Sequence, residues 1–293
     1  MKIPMYQVDA FTDKIFGGNS AAVCPLESWL PAATMQAIAA ENNLAETAYF
    51  VRDKDRFEIR WFTPAIEVDL CGHATLASAH VIFHHQGYDG AQIRFMSKSG
   101  ELNASRDEPS ARHSPVACIH GRVRRKWTPG QSPGPRPPLI KDGLIHLDFP
   151  AHVPVPSGTP DALVKGLGKK PGEVFKGRDY LAVFDREADV VSIEPDFAEL
   201  AKLDCLGIIA TAKGETCDFV SRFFAPRAGV PEDPVTGSAH TLLIPFWAKR
   251  LGKTFLRAVQ VSKRRGELFC EYLGGRVLIG GRAVTFFQGT IEI

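Results

Sequence analysis

One carboxylate stands among apolar neighbours in the first quarter of the chain. Glu46 is the only charged residue between Asn42 and Val51, and Leu44, Ala45, Ala48, Tyr49, Phe50 and Val51 surround it in sequence. A carboxyl held among such groups loses hydration, which raises its pKa and suits it to proton transfer near neutral pH. An ordinary strand carboxylate facing water fits the same residues. His73 follows Gly72 at the mouth of an expected helix, where it could donate to a substrate, relay a proton, or cap the helix end. Asp233 sits in Pro231-Glu232-Asp233-Pro234-Val235-Thr236-Gly237-Ser238. It could pair with His73 and set its protonation, or simply serve a turn before proline. Ser238 could give its N–H and hydroxyl to a carboxylate, or support a helix start.

Other chemistries are less well supported. His80 and His84 share a helix face, but no Glu completes a zinc-protease pattern, so both read as surface histidines and no metal is expected. Cys118 and His120 lack partners. The chain has no nucleophile-elbow, Walker or dinucleotide glycine motif.

An internal repeat supplies a frame for these residues. Arg60-Trp61-Phe62-Thr63-Pro64 lines up with Arg222-Phe223-Phe224-Ala225-Pro226, and Val68 matches Val230 at the same offset. After a slip of three residues, Gly72-His73-Ala74 matches Gly237-Ser238-Ala239. Each copy reads as strand, proline turn, acidic loop, then a glycine opening a helix, so a duplicated unit facing itself across a cleft is expected. A helix N-terminus offers unpaired N–H groups and partial positive charge, and a glycine there lets an anion approach the backbone. Two such ends form a cradle for a carboxylate; two tight turns would also need glycine.

The elements that must position these groups follow from pattern. Strands are expected at 3–11, 44–51, 57–62, 144–149, 180–184, 206–210 and 218–224, with two more β segments between 277 and 293. Helices are expected at 29–41, with Pro31 in the first turn, at 74–83, and at 238–251, closed by Gly252 and open to bending at Pro245. Residues from about 105 to 141 break the pattern with seven prolines and the basic cluster Arg122, Arg124, Arg125 and Lys126. They read as a loop or disordered insertion.

Composition bounds the rest. The chain has 293 residues, 44% of them hydrophobic, enough for one large or two ordinary domains with real cores. A net charge of +2 gives no sign of a nucleic-acid binder. No run of about 18 apolar residues suggests a membrane span, and the start does not read as a secretory leader. The six cysteines are scattered without CxxC spacing and read as free thiols in a reducing cytoplasm.

The segments Gln7-Val8-Asp9-Ala10-Phe11-Thr12 with Gly18-Asn19, Asn42-Asn43-Leu44-Ala45-Glu46-Thr47, Phe62-Thr63-Pro64 through Cys71-Gly72-His73-Ala74-Thr75, and Glu232 through Ala239 together carry a family resemblance. The chain resembles the PhzF-like phenazine-biosynthesis isomerase family, within the diaminopimelate-epimerase-like fold. The resemblance implies an α/β (α+β) protein of two pseudo-symmetric halves, each a β-barrel-like sheet around a central helix. The implied division is 1–150, with the insertion and the last strand 284–293, against 151–283. It further implies a homodimer, a site between the halves, and proton transfer on a small carboxylate-bearing substrate without metal or cofactor. Glu46 matches the family's general acid/base, and His73 and Asp233 match residues lining the site. Gly72, Gly237 and Ser238, with Ala74 of the same motif, match positions that hold substrate. Ala45 stands where the family often has serine, and the proline-rich insertion replaces a short hairpin turn. The related epimerases use two opposed cysteines; Cys71 lies beside the first glycine, but the second motif offers none. A racemase on the same scaffold and a non-catalytic, partner-binding member are the alternative readings.

Overall fold

The computed structural model describes residues 1–106 and 143–293. Of the insertion read at about 105–141, Ser105 and Arg106 instead end a strand, and the rest, with Cys118 and His120, lies outside the described residues. The first half begins with β1 (Lys2–Ala10), β2 (Asn19–Leu26), α1 (Ala32–Asn42), β3 (Glu46–Asp53), β4 (Arg56–Phe62) and β5 (Glu67–Val68). It continues with α2 (Gly72–His85), β6 (Gln92–Ser97), β7 (Gly100–Arg106) and β8 (Ile145–Pro150), after which comes the short β9 (Val155–Pro156). After α3 (Asp161–Leu167) come β10 (Glu173–Lys176), β11 (Tyr180–Val183), α4 (Glu187–Val191), α5 (Phe197–Leu200), β12 (Ile208–Lys213) and β13 (Phe219–Ala225). The chain ends with β14 (Val230–Asp233), α6 (Gly237–Leu251), β15 (Phe255–Gln260), β16 (Gly266–Tyr272), β17 (Arg276–Gly281) and β18 (Ala283–Glu292).

The pairings repeat in order. β1–β2 is antiparallel, β2–β3 parallel, β3–β4 antiparallel, β4–β6 parallel, and β6–β7 and β7–β8 antiparallel. β10 through β17 repeat that sequence of directions, with α6 making the crossover that α2 makes in the first half. The final strand of each set then changes sides. β18 pairs with β1 and β9 with β10, while β8 pairs with β17 and joins the two sets edge to edge.

The side chains repeat as well. Arg60 holds Glu67 through Nε–Oε1 at 2.7 Å and Nη2–Oε2 at 2.9 Å, and Arg222 holds Glu232 with the same two atoms at the same distances. One part of the sequence match is corrected. Val68 pairs with Trp61 and Asp233 with Phe223, so the counterpart of Val68 is Asp233 and not Val230. The three extra residues enter earlier, at the 3₁₀ turn Pro226–Ala228 closed by Gly229 at φ 77°.

Each central helix is wrapped by its sheet. α2 is buried from Gly72 through Ala79, including Thr75 and Ser78, whose hydroxyls turn back to Cys71 O at 2.6 Å and Ala74 O at 2.7 Å. A helix apolar or self-satisfied on every side belongs inside a core. Hence the one-sided stripe read at Leu76, Ala79 and Phe83 understates its burial. α6 runs through Pro245, whose missing N–H leaves Thr241 O without its helical donor. The His152 N–H takes that carbonyl at 3.0 Å, tying the β8–β9 connection to α6. Two outer layers complete the packing. Met35, Ile38 and Ala39 of α1 cover Tyr49 and Phe62, and Leu163, Leu167, Val190 and Leu200 cover the sheet of the second half. Pro31 precedes α1 as its cap residue and is not in its first turn.

The Arg222 guanidinium also donates to Ile193 O at 2.7 Å, with its side chain only 10% exposed. Replacing Arg222 by Ala strands Glu232 and these carbonyls, and should cost about 3–5 kcal/mol. Arg60→Ala, at a pair more open to water, should cost clearly less. Urea unfolding of the two variants checks the order.

Candidate active site

The two central helices meet end to end. A Cβ built on Gly72 would lie 3.3 Å from Gly237 Cα, and one built on Gly237 would lie 3.3 Å from Gly72 Cα. A side chain at either position would crowd the other helix end, which would have to give way by a few tenths of an ångström. Neither helix has a side-chain cap: Cys71 makes none, and Thr236, a good capping type, directs its hydroxyl to Asp233 Oδ2 at 2.5 Å. Two sets of helix-end N–H groups therefore face one region without a capping oxygen.

Glu46 reaches this region because α1 ends abruptly. Asn43 takes the left-handed conformation at φ 48°, its N–H bonding Ala39 O, and β3 starts at Glu46 with Ala21 of β2 alongside. Asn42 Nδ2 donates to Thr47 Oγ1 at 3.1 Å and fixes the exit. His73 is the second residue of α2, since the helix opens at Gly72, two residues earlier than expected. Its Nε2 lies 3.0 Å from Glu46 Oε2, with the side chains 5% and 17% exposed. The two atoms are not aligned as a hydrogen bond, and neither has another protein partner. Both atoms therefore keep hydrogen-bonding capacity for a bound group.

The other side of His73 is fixed. Nδ1 lies 3.1 Å from Asn19 Nδ2 and 3.5 Å from Cys71 Sγ. Asn19 Nδ2 also donates to Asp233 Oδ1 at 2.7 Å and Val235 O at 3.0 Å. Asn19 thus joins the two halves: it connects His73 with Asp233, which do not pair directly as the sequence reading allowed. The amide's donor end thus lies against Nδ1, while Nε2 faces Glu46. Gln260 completes the loop, donating to Asp233 O at 2.7 Å and accepting from Thr236 N at 2.9 Å.

Burial opposes a charge on His73, and the neighbouring Cys71 sulfur and Glu46 carboxylate act against burial. Cys71 is itself kept a thiol, since burial pushes it up to about 11. The balance leaves the imidazole's pKa well above its usual value. Burial raises Asp233 to about 6, against the His73 charge and the bonds from Thr236 and Asn19 that pull it down.

Glu46, Cys71 and His73 place one ligand atom each within 4.8 Å of one another, the spacing of a metal site. Sγ lies 3.5 Å from Nδ1 and the carboxylate 3.0 Å from Nε2, so the two partners approach different nitrogens of the ring.

Gly72, Ala74 and Gly237 are buried at the helix ends. Ser238 is partly open, and its Oγ accepts from Arg178 Nη2 at 3.2 Å. Arg178 in turn is held by Asp179 Oδ2 at 3.0 Å. Asn19, Arg178, Thr236 and Gln260 were not singled out from sequence. Asn19 ends a glycine turn and Arg178 follows Gly177, so a polar residue between a glycine and an apolar strand was the available signal. His80 is also corrected: it is half-buried beside Thr285, at 3.0 Å, and burial lowers its pKa to about 3, whereas His84 is exposed.

The sequence matches the family described as phenazine biosynthesis-like protein over residues 8–120 and 165–289. The chain belongs to that family. It is 45% identical to an uncharacterized isomerase of Pseudomonas aeruginosa over the whole of both chains. The crystal structure of a PhzF-family phenazine biosynthesis protein from Enterococcus faecalis aligns over 100% of both chains, with a TM-score of 0.87 and 42% identity. A predicted epimerase of Pseudomonas aeruginosa, 17% identical, shares the fold over 99% of both chains at a TM-score of 0.70. The fold is diaminopimelate-epimerase-like, and the chain is an isomerase of the family. No helix among the described residues is long and apolar enough to cross a membrane.

The raised Asp233 sets a pH signature. Its folded pKa of about 6 lies above the usual 3.8, so its contribution to stability is complete below pH 3.8 and is lost as pH rises through 6. Asp233→Asn keeps an acceptor for Asn19 and removes the buried charge. Between pH 4 and 7 the stability of the variant relative to the native protein should rise by up to roughly 3 kcal/mol. Urea midpoints across that range check it; parallel curves would refute it.

Proposed function

We propose that the protein is a cofactor-independent isomerase that moves a proton on a small carboxylate-bearing substrate, with Glu46 as general acid/base. The observation that carries this reading is the 3.0 Å approach of Glu46 Oε2 to His73 Nε2, both atoms lacking a protein hydrogen bond. The uncapped ends at Gly72 and Gly237 bind the substrate carboxylate through backbone N–H groups, with Ala74 and Ser238 on the same helix turns. Arg178, held at Ser238, adds a cation at that end of the cleft. Glu46 takes a proton from a carbon near the carboxylate and returns it at another position of the conjugated system. His73 donates to the developing negative charge or to Glu46, and Asn19 and Asp233 hold its orientation.

Several features favour isomerisation over thiol-based racemisation. Cys71 is a thiol by its pKa, and its pseudo-symmetric counterpart before Gly237 is Thr236. The substrate carbon thus meets one carboxylate and no opposed pair of thiols. We further propose that the halves divide as 1–150 with 284–293 against 151–283, a division supported by the side-switching of β18 and β9. The homodimer and the cytoplasmic setting belong to the same reading; the five described cysteines are free, as a reducing compartment would keep them.

The test is hydrogen exchange. Purified protein in D₂O is incubated with a panel of hydroxylated and unsaturated carboxylic acids, and incorporation of deuterium is read by mass spectrometry. A substrate should gain deuterium and change its double-bond position. Glu46→Gln should slow this by about 10²–10⁴-fold, with the thermal midpoint and ligand binding nearly unchanged. Full exchange in that variant would rule out the assignment. Exchange with inversion at one carbon, and no bond shift, would point to the epimerase reading.

A further inference from the structure

A second cavity lies away from the catalytic groups. It has a volume of about 430 Å³, the scale of a small-molecule site, and none of Asn19, Glu46, His73, Arg178, Asp233 or Ser238 lines it. Its wall is formed by the β1–β2 connection from Phe11 to Gly17, by β15 and β16 with the turn between them, and by Arg282 in the joint before β18. It therefore lies where the first-half loop meets the second half.

The wall is strongly basic. Lys14, Arg257, Arg264, Arg265 and Arg282 line it, against the carboxylates of Asp13 and Glu267. That local excess is larger than the net charge of +2 carried by the whole chain. The cations are not equivalent. Arg264 is part of the architecture: it donates to Asp9 Oδ1 at 2.8 Å, Gly17 O at 2.8 Å and Gly18 O at 2.9 Å. Arg257 and Arg282 share Glu267. Lys14 and Arg265 are exposed and make no ion pair among the described residues.

The backbone is also unusual here. Phe11 at φ 63°, Phe16 at φ 70° and Arg265 at φ 49° are non-glycine residues in the left-handed region, and all three line this one cavity. Such conformations are costly and persist where the surroundings enforce them, often at binding sites. What enforces them here is the contact across the halves: Gly18 N donates to Arg265 O at 2.7 Å and Glu267 N to Phe11 O at 2.9 Å.

We propose that this groove is a second binding site, for a small polyanion bearing two or more phosphate or carboxylate groups. Lys14 from one half and Arg265 from the other supply the uncommitted charges, and Arg257, Arg264 and Arg282 supply a fixed positive floor. A ligand held by both halves grips the loop that ends at Asn19, the residue joining His73 to Asp233. The site is independent of the catalytic assignment above.

The test uses the full-length protein at low ionic strength, titrated calorimetrically with inorganic tripolyphosphate and, separately, with citrate. Saturable binding at one site per chain is expected with at least one of the two, weakening as salt is added; which one binds identifies the phosphate or the carboxylate class. Lys14→Gln with Arg265→Asn, the latter tolerating the left-handed backbone, should weaken binding by about tenfold or more with an unchanged thermal midpoint. Lys170→Gln with Lys213→Gln removes the same charge elsewhere and should leave the affinity within about twofold. No saturable binding of either anion overturns the proposal, as does equal weakening by both double variants. Binding at full strength in the Lys14 and Arg265 variant also overturns it, since the anion would then occupy the catalytic cleft.

Discussion

The architecture depends on the contact of Gly72 with Gly237. Each helix end carries partial positive charge, and placing two such ends 3.3 Å from a would-be Cβ is electrostatically unfavourable in the absence of anions. The surrounding groups answer that field. Glu46 and Asp233 lie at the junction, and a bound carboxylate would add a third negative group. The duplicated sheets hold the helices in place, because each helix is buried by its own half and cannot slide away from the other.

Duplication supplies symmetry, and function enters through its violation. The repeated Arg–Glu pairs, the parallel crossovers and the two opening glycines are alike in both halves. The reactive positions are not. Cys71 faces Thr236 in the alignment of the helix starts, His73 faces Ser238, and Val68 faces Asp233. Glu46 opens β3 where Ile208 opens β12, and Asn19 and Arg178 each stand two residues before the strand residue that pairs with that opening position. One half thus carries Glu46 and His73, the pair proposed to move the proton, while the other carries Asp233 and Arg178.

The polar network also explains the charge states. Asn19 has two hydrogens, and Asp233 Oδ1, Val235 O and His73 Nδ1 all lie within reach of them. Asp233 is thereby held in place by three donors: Asn19 and Thr236 on its carboxylate and Gln260 on its carbonyl. Burial counts against its charge, and the result is a group that titrates close to neutral pH. A satisfied network of this kind stiffens the site more than pairwise bonds suggest.

The sequence by itself determined the local elements and the chemistry available. Strands β1, β3, β4 and β13 and helices α2 and α6 follow from apolar periodicity and from glycine and proline punctuation, which act within a few residues. Residue type and neighbours left Glu46, His73 and Asp233 open between reactive and ordinary roles, and the motif resemblance singled them out. Strands β6, β7, β15 and β16 were not read, because half-buried strands bounded by ordinary polar residues have little signal of their own. The insertion of three residues was placed after Val68, since letters alone cannot show that Pro226–Ala228 forms a turn outside the ladder. Long-range packing alone places Asn19 between His73 and Asp233, residues separated by 54 and 214 positions from it, returns β18 to β1, and half-buries His80 against Thr285. Those facts depend on long-range packing and on one amide's hydrogen-bonding geometry, neither of which has a local imprint on the chain.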